Sequence, residues 1–474
     1  MHGLGKVKLL IVMLRILLIL LFSKRGNPMK VQRTYAKIWV DGVLETVAQL
    51  KIVVSFYIWL VFFSTIILFE SCVNKKEDNL KTGNSKFLSY VGSDSLSTEF
   101  IFSNKNSVKL ILETDQVKSK IKLSNIMTDY RMLHLNNFSG SVLGDIDKIL
   151  LLDSLVFILD QYTHNSLQIF NFFTGNQVGL LYPTGEGPGE MKSISEFDLD
   201  KVNRRILIYD NLLAKVLYFT FGGEFLFEKR LPIRAHSFKI FPENQLLFSS
   251  IGDVNDHLGD TGKSDLFLLD SNLMIKNTFR YPKINQSLSD YIPRDIIREN
   301  NGMVTYFPRF SNELFQVDLK NNRLNSLIEI NLGATGLSKQ DLNSIGSDFV
   351  IDRKKDNKLF GFGLHFVTQN WIGMNFNRFG GPEFHLYYNR KNGEVISGTE
   401  LEFDFEDLIF YSFPLVCENE TCVSFIRLGK KQYSDYDNFI KKFEGPNRNF
   451  DKIKNFLKTI EDFEQPILLV FSLK

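Results

Sequence analysis

Leu167-Gln168-Ile169-Phe170-Asn171-Phe172-Phe173-Thr174-Gly175-Asn176-Gln177-Val178-Gly179-Leu180-Leu181 reads as two apolar strands joined by a polar turn. Gly and Asn at the tip suit the positive φ that tight hairpins need. The same form recurs four more times. Val216-Leu217-Tyr218-Phe219 turns at Gly222-Gly223 into Phe225-Leu226-Phe227. Leu266-Phe267-Leu268-Leu269 turns at Asp270-Ser271-Asn272. Leu314-Phe315-Gln316-Val317 turns at Lys320-Asn321-Asn322, and His385-Leu386-Tyr387-Tyr388 at Lys391-Asn392-Gly393. The tips at Gly175, Gly223, Asn272 and Asn322 are separated by 48, 49 and 50 residues. That interval is the length of one four-stranded blade, so the spacing predicts an all-β propeller. A sandwich pair or jelly roll that does not close is the competing architecture. The near-constant period argues against it.

A further strand precedes each hairpin, at 155–159, 205–209, 245–248, 303–307 and 371–374, and most of these follow another apolar stretch. The sum is about four strands per unit. Many runs are apolar at successive positions, the pattern of strands covered on both faces by neighbouring blades. The interval from Asn322 to Gly393 is 71 residues, and the excess reads as an insertion at 334–348 with a short helix. Six blades are needed to finish the ring. Residues 408–417 and 422–428 supply two strands of the last one. The chain ends supply the others: a closing strand over 466–473, with 108–112 or 121–135 beside it. Before it lies an amphipathic helix over 448–462, with Phe450, Ile453, Phe456, Leu457 and Ile460 on one stripe. The predicted fold is a six-bladed β-propeller over 96–474, behind a linker over 73–95.

Residues 1–72 stand apart as a signal or membrane-targeting segment. Residues 9–22 are apolar except for Arg15, with Lys6, Lys8, Lys24 and Arg25 on the flanks. Residues 52–69 form a second apolar stretch, about 27 Å long as a helix and so near the thickness of a bilayer core. It runs into Leu68-Phe69-Glu70-Ser71-Cys72. An apolar run, a small residue and then Cys looks like a bacterial lipoprotein signal, and on that resemblance Cys72 carries the lipid. Phe69 and Glu70 depart from the usual pattern, and the preceding region is long for a signal. A translation start at Met29 would remove the first apolar stretch. The alternative is an uncleaved anchor with Cys72 an ordinary thiol. Asn74-Lys75-Lys76-Glu77-Asp78 reads either as a surface-export tag or as a solvated linker. Either way the expected address is the cell envelope, outside the inner membrane, and for a lipoprotein the outer membrane, on its periplasmic or its surface face.

The chain has 474 residues and a net charge of +2, so nothing in its charge points to nucleic acid. The other two cysteines, Cys417 and Cys422, bracket Glu418-Asn419-Glu420-Thr421. A four-residue hairpin loop places its flanking positions opposite each other, within reach of a disulfide. A pair of free thiols is the alternative. Zinc does not suit this spacing.

The stretch 121–232 resembles a family of six-bladed propeller lipoproteins of Gram-negative cell envelopes. Leu123-Ser124-Asn125-Ile126, Gly144-Asp145-Ile146-Asp147-Lys148-Ile149, Phe157-Ile158-Leu159-Asp160 and Ile169-Phe170-Asn171 carry the likeness. Its most specific element is Gly185-Glu186-Gly187-Pro188-Gly189-Glu190, matching a Gly-x-Gly-Pro-Gly-Glu loop after the first blade. The tail 461–470 is similar to the family's acidic-Asn-Pro-apolar ending, with Gln465 in place of Asn. The resemblance implies the fold and the envelope location, and no settled activity. Asp94-Ser95-Leu96 and Asp153-Ser154-Leu155 also fit a short O-glycosylation pattern.

Chemistry is harder to find. The Gly185–Glu190 loop lacks a following helix and loses a donor at Pro188, so it suits a blade connection better than a phosphate cradle. Gly185, Glu186, Gly187, Gly189 and Glu190 stand as the ligand-contact candidates, because propeller rim loops carry function. Seven histidines show no metal-ligand spacing, although His365 and His385 could converge in the fifth blade. Asp253, Asp256, Asp260 and Asp265 cluster without a calcium-loop pattern. No Gly-x-Ser-x-Gly elbow occurs. Tyr182, Tyr209, Tyr306, Trp371 and Tyr411 are candidates either for stacking on sugars or for the core. No cofactor or metal is expected. The expected function is a binding module for a glycan, peptide or protein ligand. The alternatives are a polysaccharide lyase or hydrolase with a rim site, and a structural partner of an outer-membrane uptake complex.

Overall fold

The computed structural model describes residues 98–474, apart from 105–106, 113–116, 118, 139–140, 251–254, 281–294, 339, 342–356, 379–380, 406–407, 409, 428–449 and 461–464. The described residues all belong to one compact unit, Phe87–Lys474. Cys72, the apolar stretches 9–22 and 52–69 and the linker 73–95 lie outside them. Among the described residues no helix is long and apolar enough to cross a membrane.

Six four-stranded antiparallel blades form a propeller ring. Blade one is Lys148–Leu152, Leu155–Asp160, Ser166–Asn171 and Gln177–Leu181. Blade two is Glu196–Asp200, Arg205–Asp210, Lys215–Thr220 and Phe225–Arg230. Blade three is Ser237–Ile240, Leu246–Ser249, Leu266–Leu269 and Ile275–Phe279. Blade four is Ile297–Asn300, Met303–Tyr306, Glu313–Asp318 and Arg323–Asn331. Blade five is Leu359–Val367, Trp371–Arg378, Phe384–Asn389 and Val395–Gly398. The ring closes, which excludes the sandwich and the jelly roll.

Blade six is built from both ends of the described chain. Val416–Glu418 and Thr421–Ile426 are followed by the last strand, Ile467–Leu473, and the fourth place is taken by Met127–His134. The seam is a long antiparallel ladder in which Val470 faces Arg131 and Phe471 faces Tyr130. Of the two stretches the sequence offered for this place, the one within 121–135 fills it. The other, Val108–Ile111, pairs with blade four instead. The C-terminal helix is Asp451–Lys458, shorter than the 448–462 expected, because Phe450 has left helical dihedrals and the chain turns out at Thr459. Its stripe survives: Phe450, Ile453, Leu457 and Ile460 are buried against blade six. At the insertion, Gly333–Thr335 is a single 3-10 turn and residues 342–356 fall outside the described set.

All five hairpin tips read from the sequence join the third and fourth strands of their blades. Gly175, Gly223, Asn322 and Gly393 take positive φ there, as the turns require. In blade three the positive φ belongs to Leu273, one residue after the expected Asn272. The Asp270 carboxylate accepts the amides of Asn272 and Met274 and fixes that turn, while the Leu273 side chain is buried between blades two and three. Middle strands such as Arg205–Asp210 are buried on both faces, as stacked blades demand.

The N-terminal part of the described chain runs round the outside of the ring. Thr98–Glu99 pairs in parallel with the outer strand of blade three. Ile101–Ser103 and Val108–Ile111 pair in parallel with that of blade four. Lys120–Lys122 pairs in parallel with Glu400–Glu402, which continues the outer strand of blade five. After serving as the fourth strand of blade six, the chain makes a parallel bridge from Asn136 to Asn176 on blade one.

Candidate functional site

The first strands of the blades lie against one another and line the axis. All but Leu359–Val367 are short, and their polar residues face the axis and not a sheet neighbour. Charged side chains from several blades therefore meet at the centre. Lys148 of blade one sits between Glu196 of blade two, at 3.0 Å, and Asp295 just before blade four, at 3.2 Å. Asp295 also holds Arg298 Nε at 3.1 Å. Lys239 of blade three pairs with Asp198 of blade two at 2.9 Å, and the second Asp198 oxygen accepts the Ile240 amide at 2.7 Å. Lys201 reaches Glu299 of blade four and Glu418 of blade six at 3.4 and 3.3 Å. Lys148, Glu196, Asp198, Lys239 and Asp295 are all buried, so each charge depends on its neighbours.

The electrostatics follow from that crowding. Burial pushes the Glu196 carboxyl up to about 7; Lys148 opposes the shift and Asp295 adds to it. Burial would likewise raise Asp295, but Lys148, Arg298 and Lys239 hold it below its ordinary value. Burial alone would lower the Lys148 ammonium, yet Asp295, Glu196 and Asp198 keep it above the usual lysine range. His365, on the first strand of blade five, is lowered to about 3 by burial and by the Arg298 cation. It is a neutral imidazole: Nδ1–H donates to the Gly363 carbonyl at 2.7 Å, so Nε2 accepts from Thr305 Oγ1 at 2.8 Å.

Two cavities lie on this axis. One is lined by Asp147, Lys148, Gln161, Tyr162, Ser195, Glu196, His236, Ser237 and Asp295. The other is lined by Lys239, Arg298, Glu299, Thr305, Val416 and Cys417, with Asp295 shared. Each has room for about one or two ordered waters. The first has three carboxyls against one ammonium, with the exposed Tyr162 ring at its edge. The Ser237 hydroxyl there is buried without a hydrogen-bond partner.

The Gly185–Glu190 loop lies elsewhere, between the outer strand of blade one and the first strand of blade two. Its amides are engaged within the protein: Gly187 N–H donates to Glu190 at 2.8 Å, Gly189 N–H to Glu228 at 3.0 Å and Glu190 N–H to the Gly187 carbonyl at 3.0 Å. Glu186 pairs with Lys192. Gly189 has φ +77, and a Cβ there would stand 2.9 Å from the Phe225 ring, so the loop is seated on the outer strand of blade two. Cys417 and Cys422 face each other across the blade-six hairpin and are joined by a disulfide. Asp160 gathers the amides of Gly144, Asp145, Thr163 and His164, while Asp210 gathers those of Lys192, Ser193 and Leu213. These carboxylates tie each blade's entry to its own turn.

The remaining sequence candidates separate. Tyr209, Tyr306 and Trp371 are core residues, Tyr411 bonds Tyr387 inside blade six's packing, and Tyr182 alone is exposed. His365 and His385 are both buried in blade five; His385 stacks on Phe413 at 5.7 Å. Asp260 pairs with Lys263 and Arg280, and Asp253 lies outside the described residues. Among the described residues no group of three or more His, Cys, Asp or Glu is placed to hold a metal. The sequence reading missed the axial charges, although Lys148 opens an otherwise apolar strand, Glu196 and Asp198 alternate with Phe197 and Leu199, and Lys239 stands between Phe238 and Ile240. A charge at that place in successive blades is the signal that could have found them.

A crystal structure of a Bacteroides fragilis protein, described as a candidate exported protein, superposes with a TM-score of 0.61 at 18% identity. The match covers 78% of this chain and 100% of that one. A member of the DUF4221 family from Bacteroides vulgatus gives a TM-score of 0.41 at 9% identity, over 73% and 97% of the two chains. At 18% identity the first of these speaks for the fold alone. No curated protein matches. The profile of a domain of unknown function, DUF4934, matches residues 107–472, from the chain's outer belt to its closing strand. The chain belongs to the DUF4934 family.

Proposed function

We propose that this chain is an exported, envelope-anchored binding module whose ligand docks at the axial mouth beside Glu196 and Asp295. One observation carries the reading: polar and charged groups of blades one to four converge on a cavity whose balance is acidic. Ser237 offers a hydroxyl there that no protein group uses. Such a mouth favours a cationic or polar group, such as an amine of a sugar or a basic side chain, against the Tyr162 ring. The six-bladed fold, shared with a candidate exported protein, supports the address, and Cys72 is the proposed lipid attachment site.

The test is thermal unfolding of the purified protein with glucosamine, spermidine and tri-lysine as probes. The reading expects a saturable rise in Tm with at least one amine, lost in Glu196→Gln and Ser237→Ala. No shift with any probe up to about 10 mM would reject it. Membrane attachment is tested separately, by whether Cys72→Ala releases the protein into the soluble fraction.

One observation favours catalysis instead: Glu196 and Asp295 are pushed in opposite directions, as an acid and a base would be. Both are buried around a cavity of water size, which leaves no room for a sugar chain between them. Turnover of a polysaccharide that Glu196→Gln abolishes would establish that reading.

A further inference from the structure

The outer edges of the ring are not all treated alike. Blades three, four and five each gain a parallel strand from the chain's outer belt, and blade one gains a parallel bridge. Blade six ends at Met127–His134 and blade two at Phe225–Arg230, and no further strand joins either among the described residues; of the two, only the blade-two edge carries exposed large apolar side chains. Phe225, Leu226 and Phe227 are 40%, 43% and 37% exposed. Successive residues of a strand point to opposite faces, so part of each face stays exposed beyond the Gly185–Glu190 loop, and the row of backbone groups meets no further strand among the described residues.

This strand is also held ready. Phe227 stacks on Tyr218 at 4.2 Å, with the Arg205 guanidinium over both rings. Phe225 lies edge-on to Phe219 at 5.8 Å and against Gly189. Glu228 is fixed by Lys215 at 2.8 Å and by the Gly189 amide. A strand already ordered adds little entropy cost to a binding event. The far end carries Lys229 and Arg230.

We propose that Phe225–Arg230 is a docking strand for an extended segment of a partner protein, added in parallel as a fifth strand of blade two. The direction follows from the belt, whose additions to the fourth strands of blades three and four, and to the strand continuing that of blade five, are parallel. The segment it fits alternates apolar residues against Phe225 and Phe227 and ends in acidic ones beside Arg230. A second copy of this chain fits less well, because two identical edges related by a two-fold axis pair antiparallel. The axial mouth shares no residue with this edge, so the two proposals stand or fall separately.

The probe is a fluorescein-labelled peptide, acetyl-Thr-Val-Thr-Val-Thr-Asp-Asp-amide, titrated into the full chain and followed by anisotropy. Saturable binding is expected, weakened about tenfold or more by Leu226→Lys, by Arg230→Glu or by reversing the peptide sequence. Each variant is checked for an unchanged urea midpoint, since these side chains are exposed. Bound peptide should also slow amide exchange at 225–230. Four results overturn the proposal: no saturation by about 1 mM; equal binding to Leu226→Lys; dimers that Leu226→Lys dissolves; or edge amides protected in the full chain alone and released only when residues 1–97 are removed.

Discussion

Blade six and blade two solve the same problem in opposite ways. Blade six draws strands from both ends of the described chain, and its seam buries Leu468, Leu469, Val470 and Phe471. Blade two is made entirely from one continuous run, 196–230, and its outer strand exposes Phe225, Leu226 and Phe227, where the outer strand of blade six exposes no large apolar side chain. The difference teaches where stability and recognition lie. A sheet closed by distant segments ties the ring together, while a sheet complete in itself can spare an edge.

The sharpest way to break this contrast is to damage the seam. Leu469→Asp puts an unpaired carboxylate into the core between Met132 and Ser424. It should cost on the order of 4 kcal/mol or more, and urea unfolding should show a large loss or no folded protein. Next comes the axis, where blade two contributes its inner strand. Lys148→Met strands Glu196 and Asp295 without their shared cation and should cost about 3–5 kcal/mol. Adding Glu196→Gln to Lys148→Met should recover part of that loss, because Glu196 then carries no unpaired charge while Asp295 keeps Arg298.

The third test is pH. His365 and His385 are lowered to about 3 and about 4, each chiefly by burial, below the ordinary 6.5. The unfolded chain therefore takes their protons first, and the stability they contribute is complete above pH 6.5 and lost as pH falls. Glu196 works the other way. Its folded value of about 7 lies above the ordinary 4.5, so stability falls as pH rises through that window. With two groups against one, stability should rise from pH 4.5 to 6.5 by an amount on the order of 2 kcal/mol. Glu196→Gln should make the rise steeper, and urea midpoints at several pH values will read it.

Smaller effects separate the blades further. Replacing both Cys417 and Cys422 with Ser opens a short loop in blade six and should cost about 2 kcal/mol under oxidising conditions. Leu226→Lys on the open edge of blade two should change stability by less than about 0.5 kcal/mol. A large loss there would mean that the edge is a structural seam like the one in blade six.

The periodic part of this fold was legible because it is local. Hairpin tips at Gly175, Gly223, Asn322 and Gly393 each report a turn that needs positive φ, and their spacing counts blades. Leu273 escaped, since its turn is set by the Asp270 side chain rather than by its own type. Which early strand seals the ring was not readable, because Val108–Ile111 and Met127–His134 are both short β-prone runs and only tertiary pairing separates them. The axial site was invisible for the same reason. Lys148, Glu196, Lys239 and Asp295 come from different blades, and only ring closure brings them within ion-pair distance.

Amide exchange across the seam tests the central account most directly. If both ends of the described chain close the ring, the amides of 127–134 that bond to 467–473 exchange slowly in the intact protein and rapidly once 467–474 are deleted. Fast exchange at those inward amides in the intact protein, or protection that survives the deletion, would contradict the closure on which the axial site depends.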